Sequence, residues 1–328
     1  MKRQRVFFLL KLMTGIICVW LVIHFGHMNL RELVALKGGW IWMAAAASCM
    51  IGEIALAAIR WKVMLKGFNL NITSLNSLRA IWIGQFLGTF MPGALGSDIV
   101  RTLYLVRDSR EKPTRIAASV IGDRLLGLVA LLVVASLSSF LFLGPMPPAI
   151  EKFIQLIPVF AAFSALGTLL ALGLLLKPHL LSSHVAALVH KLIGTFHSKD
   201  LSLALLFNFF LAILSQLGMV AIFYCLWRAL GEDIAALDVG KLLIAVPVSL
   251  IVMTLPIAPS GIGVGQAAFA IIFSMLAIPS KTLGANMVSL FQVVSLLTNL
   301  VGVVPFVVGR RQKHFAFAPP EGLQEQNV

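Results

Sequence analysis

The sequence predicts an all-α polytopic membrane protein with about six full spans and two broken or re-entrant helical hairpins. Three observations predict it. Of 328 residues 59% are hydrophobic and only 12% charged, against roughly 25% charged in a typical soluble domain. Apolar runs long enough to cross a bilayer, about 20 residues each, recur along the chain. Two further runs are interrupted by proline and glycine, at PGALG (92–96) and PIAPSGIG (256–263). Irregular backbone at membrane depth is tolerated only where protein or a water-filled cavity covers the freed polar groups.

The first span is residues 6–25, after the basic MKRQR. It resembles a signal peptide, but no small-residue cleavage pattern follows, so it is read as an uncleaved helix. Residues 29–37 place Leu30, Leu33, Val34 and Lys37 along one side, which suits a short interfacial helix. The second span, 40–61, opens at Trp40 and Trp42 and closes at Arg60 and Trp61, with Glu53 inside it. A Glu there needs a polar partner or a cavity, because facing lipid is costly. The first broken segment has a limb at 75–90, the break, and then a short helix for which Ser97 is the expected N-cap.

The third span covers 114–143 and is ended by GPMPP, the fourth covers 153–176, and the fifth covers 201–227 with Asn208, Ser215 and Gln216 suited to interhelical hydrogen bonds. From Leu242 a run breaks at 256–263 and resumes to Ile278; the last span is 285–308. Residues 1–311 then form one transmembrane domain, and 312–328 a disordered cytoplasmic tail.

Charge orients these spans. With both broken segments re-entrant and the N-terminus inside, the basic clusters at 101–115 and 177–199 fall on the cytoplasmic side with both termini, as the Lys/Arg rule requires. If each broken segment crossed once, both clusters would move outside. The re-entrant arrangement also brings the two hairpin tips towards each other from opposite sides. Pro92 precedes Gly96 by four residues and Pro259 precedes Gly263 by four, a pairing that fits an inverted repeat.

The net charge of +13 raises nucleic acid as a partner, but the Lys and Arg sit in short loops and at the ends of apolar runs, so none is expected. Cys18, Cys49 and Cys225 lie in apolar runs without CxxC spacing. His179, His184, His190 and His197 lack the i, i+4 spacing that puts two ligands on one helical face. No metal or cofactor is expected.

The chemistry concentrates at the breaks. Asp98 and Arg101, three apart after Gly96, share a helical face, and Asp123 and Arg124 lie near the entry of the third span. Asp98 is expected to pair with Arg101 or Arg124. The proposed substrate-binding set is Asp98, Arg101, Asp123, Arg124, Gln266, Arg60 and Glu53; the backbone-break set is Pro92, Gly93, Gly96, Pro259, Gly261 and Gly263. Arg101 would face an anionic head group, the helix starting near Gly261 would offer free N–H groups, and Gln266 would donate its amide to the same anion. The competing readings are a plain helix kink for the break residues and a structural ion-pair network for the charges.

The segments PGALGSDIVRTLYL, SVIGDRLLGL and PSGIGVGQ, with Arg60-Trp61, resemble the lysylphosphatidylglycerol synthase transmembrane region family, over nearly the whole chain from Val6 to about Arg311. This is the flippase-like membrane half of bacterial aminoacyl-phospholipid synthases, which also occurs alone. The resemblance implies a lipid translocase of the bacterial inner membrane, handling an anionic phospholipid or polyisoprenoid phosphate. It does not imply aminoacyl transfer, because the chain ends where the soluble transferase domain would begin; no enzyme activity is expected. Gln266 departs from the Glu that many relatives carry. The alternatives are a scaffold or regulatory partner of a glycosyltransferase or lipid-modifying synthase, and a membrane-embedded head-group enzyme, which would want a nucleophile or metal set at the breaks.

Overall fold

A computed structural model describes residues 39–89, 91, 95–109, 111, 113–142, 198–231, 239–254, 261–276, 278 and 282–306, with isolated positions at 158, 159 and 162. Most of the described residues are helical, with no strand among them. In chain order the helices are α1 (Trp40–Gly67), α2 (Ser74–Gly88), α3 (Leu95–Ser109), α4 (Pro113–Phe142), α5 (Ser198–Ala229), α6 (Val239–Thr254), α7 (Val264–Met275) and α8 (Leu283–Asn299). A 3-10 turn, Leu300–Gly302, carries the last helix on to Phe306.

Among the described residues four helical stretches are long and apolar enough to cross a membrane: Trp40–Gly67, Pro113–Leu141, Leu201–Ala229 and Leu283–Phe306. They coincide with the expected second, third, fifth and last spans. The expected first span, the interfacial helix, the four histidines from His179 to His197 and the tail lie outside the described residues, as do Pro92, Gly93, Pro259 and, apart from the three isolated positions, the expected fourth span. Each interrupted run is present as two short helices, α2 with α3 and α6 with α7. Such short helices are about 18 to 24 Å long at 1.5 Å per residue, less than a hydrocarbon core of about 30 Å.

Two expected boundaries shift. Helix α1 continues past Arg60 and Trp61 to Gly67, so these two residues lie inside the span and are both buried. Helix α3 begins at Leu95, which puts Ser97 within its first turn instead of at the cap position. The start of α2 is capped by Thr73, whose hydroxyl accepts from the N–H of Asn76 at 3.3 Å; such a cap contributes about 1 kcal/mol.

Inside a bilayer helices gain little from hiding apolar surface, so close packing and interhelical hydrogen bonds have to hold them together. The α2–α3 hairpin uses a GxxxG face, Gly84 and Gly88. A Cβ on Gly84 would sit 2.8 Å from the Ser97 carbonyl oxygen, and one on Gly88 would sit 2.7 Å from Ser97 Cα, so only glycine lets the two backbones approach this closely. Helix α8 braces the far end of α2: Asn299 Nδ2 donates to Thr89 Oγ1 at 3.2 Å, and Gly302 rests against the Trp82 carbonyl. The most extensive contact is between α1 and α5, where Gly39 packs on Ala229, Gly67 on Ala204 and Gly218 on Glu53.

Two main apolar clusters result. One, around Trp61, Met64, Phe68 and Leu105, joins α1 to α2, α3, α4 and α5. The other, around Phe223, Trp227, Phe269 and Met287, joins α5 to α6, α7 and α8. Phe223 stacks on both Phe269 and Phe291, with centroids 4.7 and 5.0 Å away. Helix α5 therefore lies between the two broken segments.

Candidate functional site

Six of the charged residues that the sequence scatters over residues 53–124, namely Glu53, Arg60, Asp98, Arg101, Asp123 and Arg124, converge where α1, α3, α4 and α5 meet. Asp98, in the first turn of α3, takes Arg124 of α4 as a fork: Nε donates to Oδ2 at 2.6 Å and Nη2 to Oδ1 at 2.9 Å. Arg101, one turn along α3, brings Nη2 to 2.9 Å from Asp98 Oδ1 and 3.6 Å from Asp123 Oδ2. Asp98 thus pairs with both candidate arginines. Asp123 in turn receives Arg60 Nη2 at 2.9 Å, and the same nitrogen reaches the Asp123 carbonyl at 3.2 Å.

The supporting residues come from distant parts of the chain. Asn208 of α5 donates to the Arg60 carbonyl at 2.9 Å and to Asp123 Oδ1 at 3.4 Å. Arg60 Nη1 donates to Ser215 Oγ at 3.3 Å, and Ser215 donates onward to Glu53 Oε1. Trp61 lies beneath the Arg101 guanidinium, 4.8 Å from CZ to the ring centroid, and is itself fixed by an Nε1–H bond to Ser119 Oγ at 3.1 Å. A tryptophan that the sequence marks as an interfacial anchor is in fact the floor of the ion-pair knot.

Arg60, Asp98, Arg101 and Asp123 are buried, while the Arg124 side chain is 46% exposed and forms the open end of the network. The Nε atoms of Arg101 and Arg60 are buried without a hydrogen-bond partner. Buried donors left unmade cost free energy comparable to a lost hydrogen bond. Asp98, Asp123, Arg60, Arg101 and Arg124 together carry one surplus positive charge, since two carboxylates face three guanidiniums.

The second break is organised differently. Gly261 and Gly263 have φ of +68° and +81°, the left-handed region that glycine enters freely, and they turn the chain into α7. Gln266 accepts from the Gly263 N–H at 2.7 Å, and its Nε2 donates to Gln292 Oε1 at 2.9 Å and Ser289 Oγ at 3.3 Å, both on α8. The Gly265 N–H is used by the Gly261 carbonyl at 2.8 Å. The amide expected to meet an anion here caps α7 and joins it to α8, and its hydrogen bonds do not run to the arginine network. Gly96, at the first break, lies against Met91, with a Cβ position 2.3 Å from the Met91 Cβ.

Among the described residues no group of three or more His, Cys, Asp or Glu side chains could hold a metal ion. A separate cleft of about 460 Å³ opens between the end of α1 and the start of α5, lined by Lys66, Asn69, Asn71, Leu203 and Phe207 among others. None of the network residues lines it.

Over 96 residues the chain is 29% identical to the UPF0104 membrane protein of Pyrococcus horikoshii, a stretch that is 29% of this chain and 28% of that protein. The matched part thus spans less than a third of the relative's length. No solved structure matches. The sequence pattern of the lysylphosphatidylglycerol synthase TM region matches residues 8–309, and the chain belongs to that family.

Proposed function

We propose that the protein translocates, or presents for translocation, an anionic lipid by its phosphate, making and breaking no covalent bond. The cell inner membrane, with both termini cytoplasmic, is the corresponding location, and an anionic phospholipid or a polyisoprenoid phosphate is the corresponding cargo. The observation that carries this reading is the cluster of three guanidiniums around two aspartates, held where α3 starts beyond the first break and, among its described residues, exposed at Arg124. A guanidinium presents a planar donor fork that matches a phosphate, and Arg101 has a donor still to place. Burial on a tryptophan floor holds that fork rigid, so little side-chain entropy is left to lose when an anion arrives. Family membership and the paired helix breaks support the same reading.

The test is a leaflet-resolved lipid comparison of wild-type and deletion cells, paired with the purified chain in liposomes carrying fluorescent phosphatidylglycerol. Accelerated exchange of the labelled lipid between leaflets, lost in Arg101→Lys, supports translocation. Exchange equal to that of protein-free liposomes, with unchanged leaflet composition in the deletion strain, overturns it and turns attention to a partner synthase or glycosyltransferase.

A further inference from the structure

We infer that Glu53 is a proton site coupled to anion binding at the arginine knot, so that the protein takes up one proton with each anionic lipid it binds. The inference rests on the lipid-phosphate reading above. Its basis is a hydrogen-bonded path: Glu53 accepts from Ser215, Ser215 accepts from Arg60 Nη1 at 3.3 Å, and Arg60 Nη2 holds Asp123 at 2.9 Å. Arg101 and Asp98 continue the path to Arg124 at the open end.

Glu53 is the one carboxylate of this set that touches no guanidinium. Asp98 has two and Asp123 has two, whereas Glu53 meets a single hydroxyl and lies against Gly218, where an added Cβ would be 2.8 Å from its Oε2. The surrounding helices offer no competing charge. Neither α8 nor α5 from Leu201 to Met219 has a titratable side chain, α2 has only Arg79, in its first turns, and α4 contributes Asp123 and Arg124 here. On its own helix the near charge is Arg60.

Charge balance makes the coupling. With Glu53 ionised, three carboxylates offset three guanidiniums and the set is neutral. A proton added to Glu53 from water leaves one positive charge uncompensated, and a lipid phosphate restores neutrality. In a low-dielectric interior that difference is large, because an unbalanced charge is far costlier there than in water. The sign follows: the anion binds more tightly as pH falls and Glu53 protonates, and by reciprocity the bound anion strengthens proton binding at Glu53.

The full-length purified chain, titrated with short-chain phosphatidylglycerol between about pH 5 and 8, a range spanning plausible carboxyl titration, tests this. Wild type should bind up to about tenfold tighter per pH unit through the transition, as one linked proton requires. In weak buffer with a pH dye it should take up about one proton per lipid bound. Glu53→Gln should bind tightly at every pH and take up none. Should that variant fail to fold, Ser215→Ala, which keeps the carboxylate but removes the one hydroxyl that favours its charged form, should keep the pH dependence and move it to higher pH, and an unmoved transition would overturn the assignment to Glu53.

Lipid binding that is equally strong across the range in wild type, or proton uptake that survives in Glu53→Gln, overturns the inference while leaving the lipid reading intact. No binding at any pH removes both. Inorganic phosphate run in parallel separates the two sources of the anion: clearly tighter binding of the lipid supports a head-group site, and phosphate bound as tightly as the lipid overturns the lipid reading.

Discussion

Arg60 and Asp123 meet at 2.9 Å between α1 and α4, and the same Arg60 nitrogen also holds the Asp123 backbone carbonyl at 3.2 Å. This double hold fixes the first third of α4 against the last third of α1, and with it the position of Arg124 on the next residue. Removing one partner of a buried pair leaves a charge without compensation, at a cost of roughly 3 to 5 kcal/mol. Arg60→Ala should therefore lower the melting temperature and membrane yield sharply. The double variant Arg60→Ala with Asp123→Ala should recover part of the loss, because the carboxylate left with only Arg101 at 3.6 Å is removed together with its main partner. Melting curves in detergent, read as a double-mutant cycle, check it; additive losses would contradict the pairing.

Arg101→Lys should preserve expression and the melting temperature to within a few degrees yet abolish lipid translocation. The lysine keeps the charge beside Asp98 but has no planar guanidinium to lie on Trp61 and no two-nitrogen fork to offer a phosphate. Liposome exchange rates alongside melting curves separate the two effects. Equal transport by both proteins would remove the phosphate role from Arg101.

The glycines of the α2 face predict a contrast within one residue type. Gly88→Ala places a methyl group 2.7 Å from Ser97 backbone atoms, so α3 must move and carry Arg101 with it. Its stability and transport should both fall. Gly52→Ala, on an exposed face of α1 with nothing within 4 Å of the new methyl, should be neutral or stabilise by about 0.5 to 1 kcal/mol through better helix propensity. Thermal melts of the two variants side by side decide it; a drop of the same size in both would mean that the α2–α3 contact is looser than 2.7 Å implies.

Much of this arrangement is legible in the sequence, for identifiable reasons. Ionisable residues are so expensive in an apolar span that Glu53, Asp98, Arg101, Asp123 and Arg124 declare themselves by composition alone. The two broken runs do so by their proline and glycine. Less legible is which groups meet. Ser215 lies 155 residues from Arg60, and Asn208 lies 85 residues from Asp123, so only the packing of α5 between α1 and α4 selects them. Trp61 misleads because a tryptophan beside Arg60 and Lys62 has the local pattern of a membrane boundary, whereas α1 runs on through Val63, Met64 and Leu65 and ends only at Gly67. Helices that are apolar all round carry no face signal, which is why the sequence does not say which side of α1 meets lipid and which meets α5.

Gln266 supplies the last prediction, because its role follows from bonds that spacing could not reveal. Its Oε1 caps the Gly263 N–H at the start of α7, and its Nε2 ties α7 to Gln292 and Ser289 of α8. Gln266→Glu keeps the acceptor that caps Gly263 but loses both donors, and it sets a carboxyl group against the Gln292 oxygen. Gln266→Leu loses the cap as well and leaves the Gly263 N–H without its acceptor. Each net hydrogen bond is worth about 1 kcal/mol, and a buried donor left unmade costs about 1 to 3 kcal/mol. The melting temperature should therefore fall in the order wild type, Gln266→Glu, Gln266→Leu, while affinity for short-chain phosphatidylglycerol stays within about twofold in whatever fraction remains folded. A selective loss of lipid affinity in Gln266→Leu, with its melting temperature unchanged, would mean that this amide leaves α8 to meet the anion.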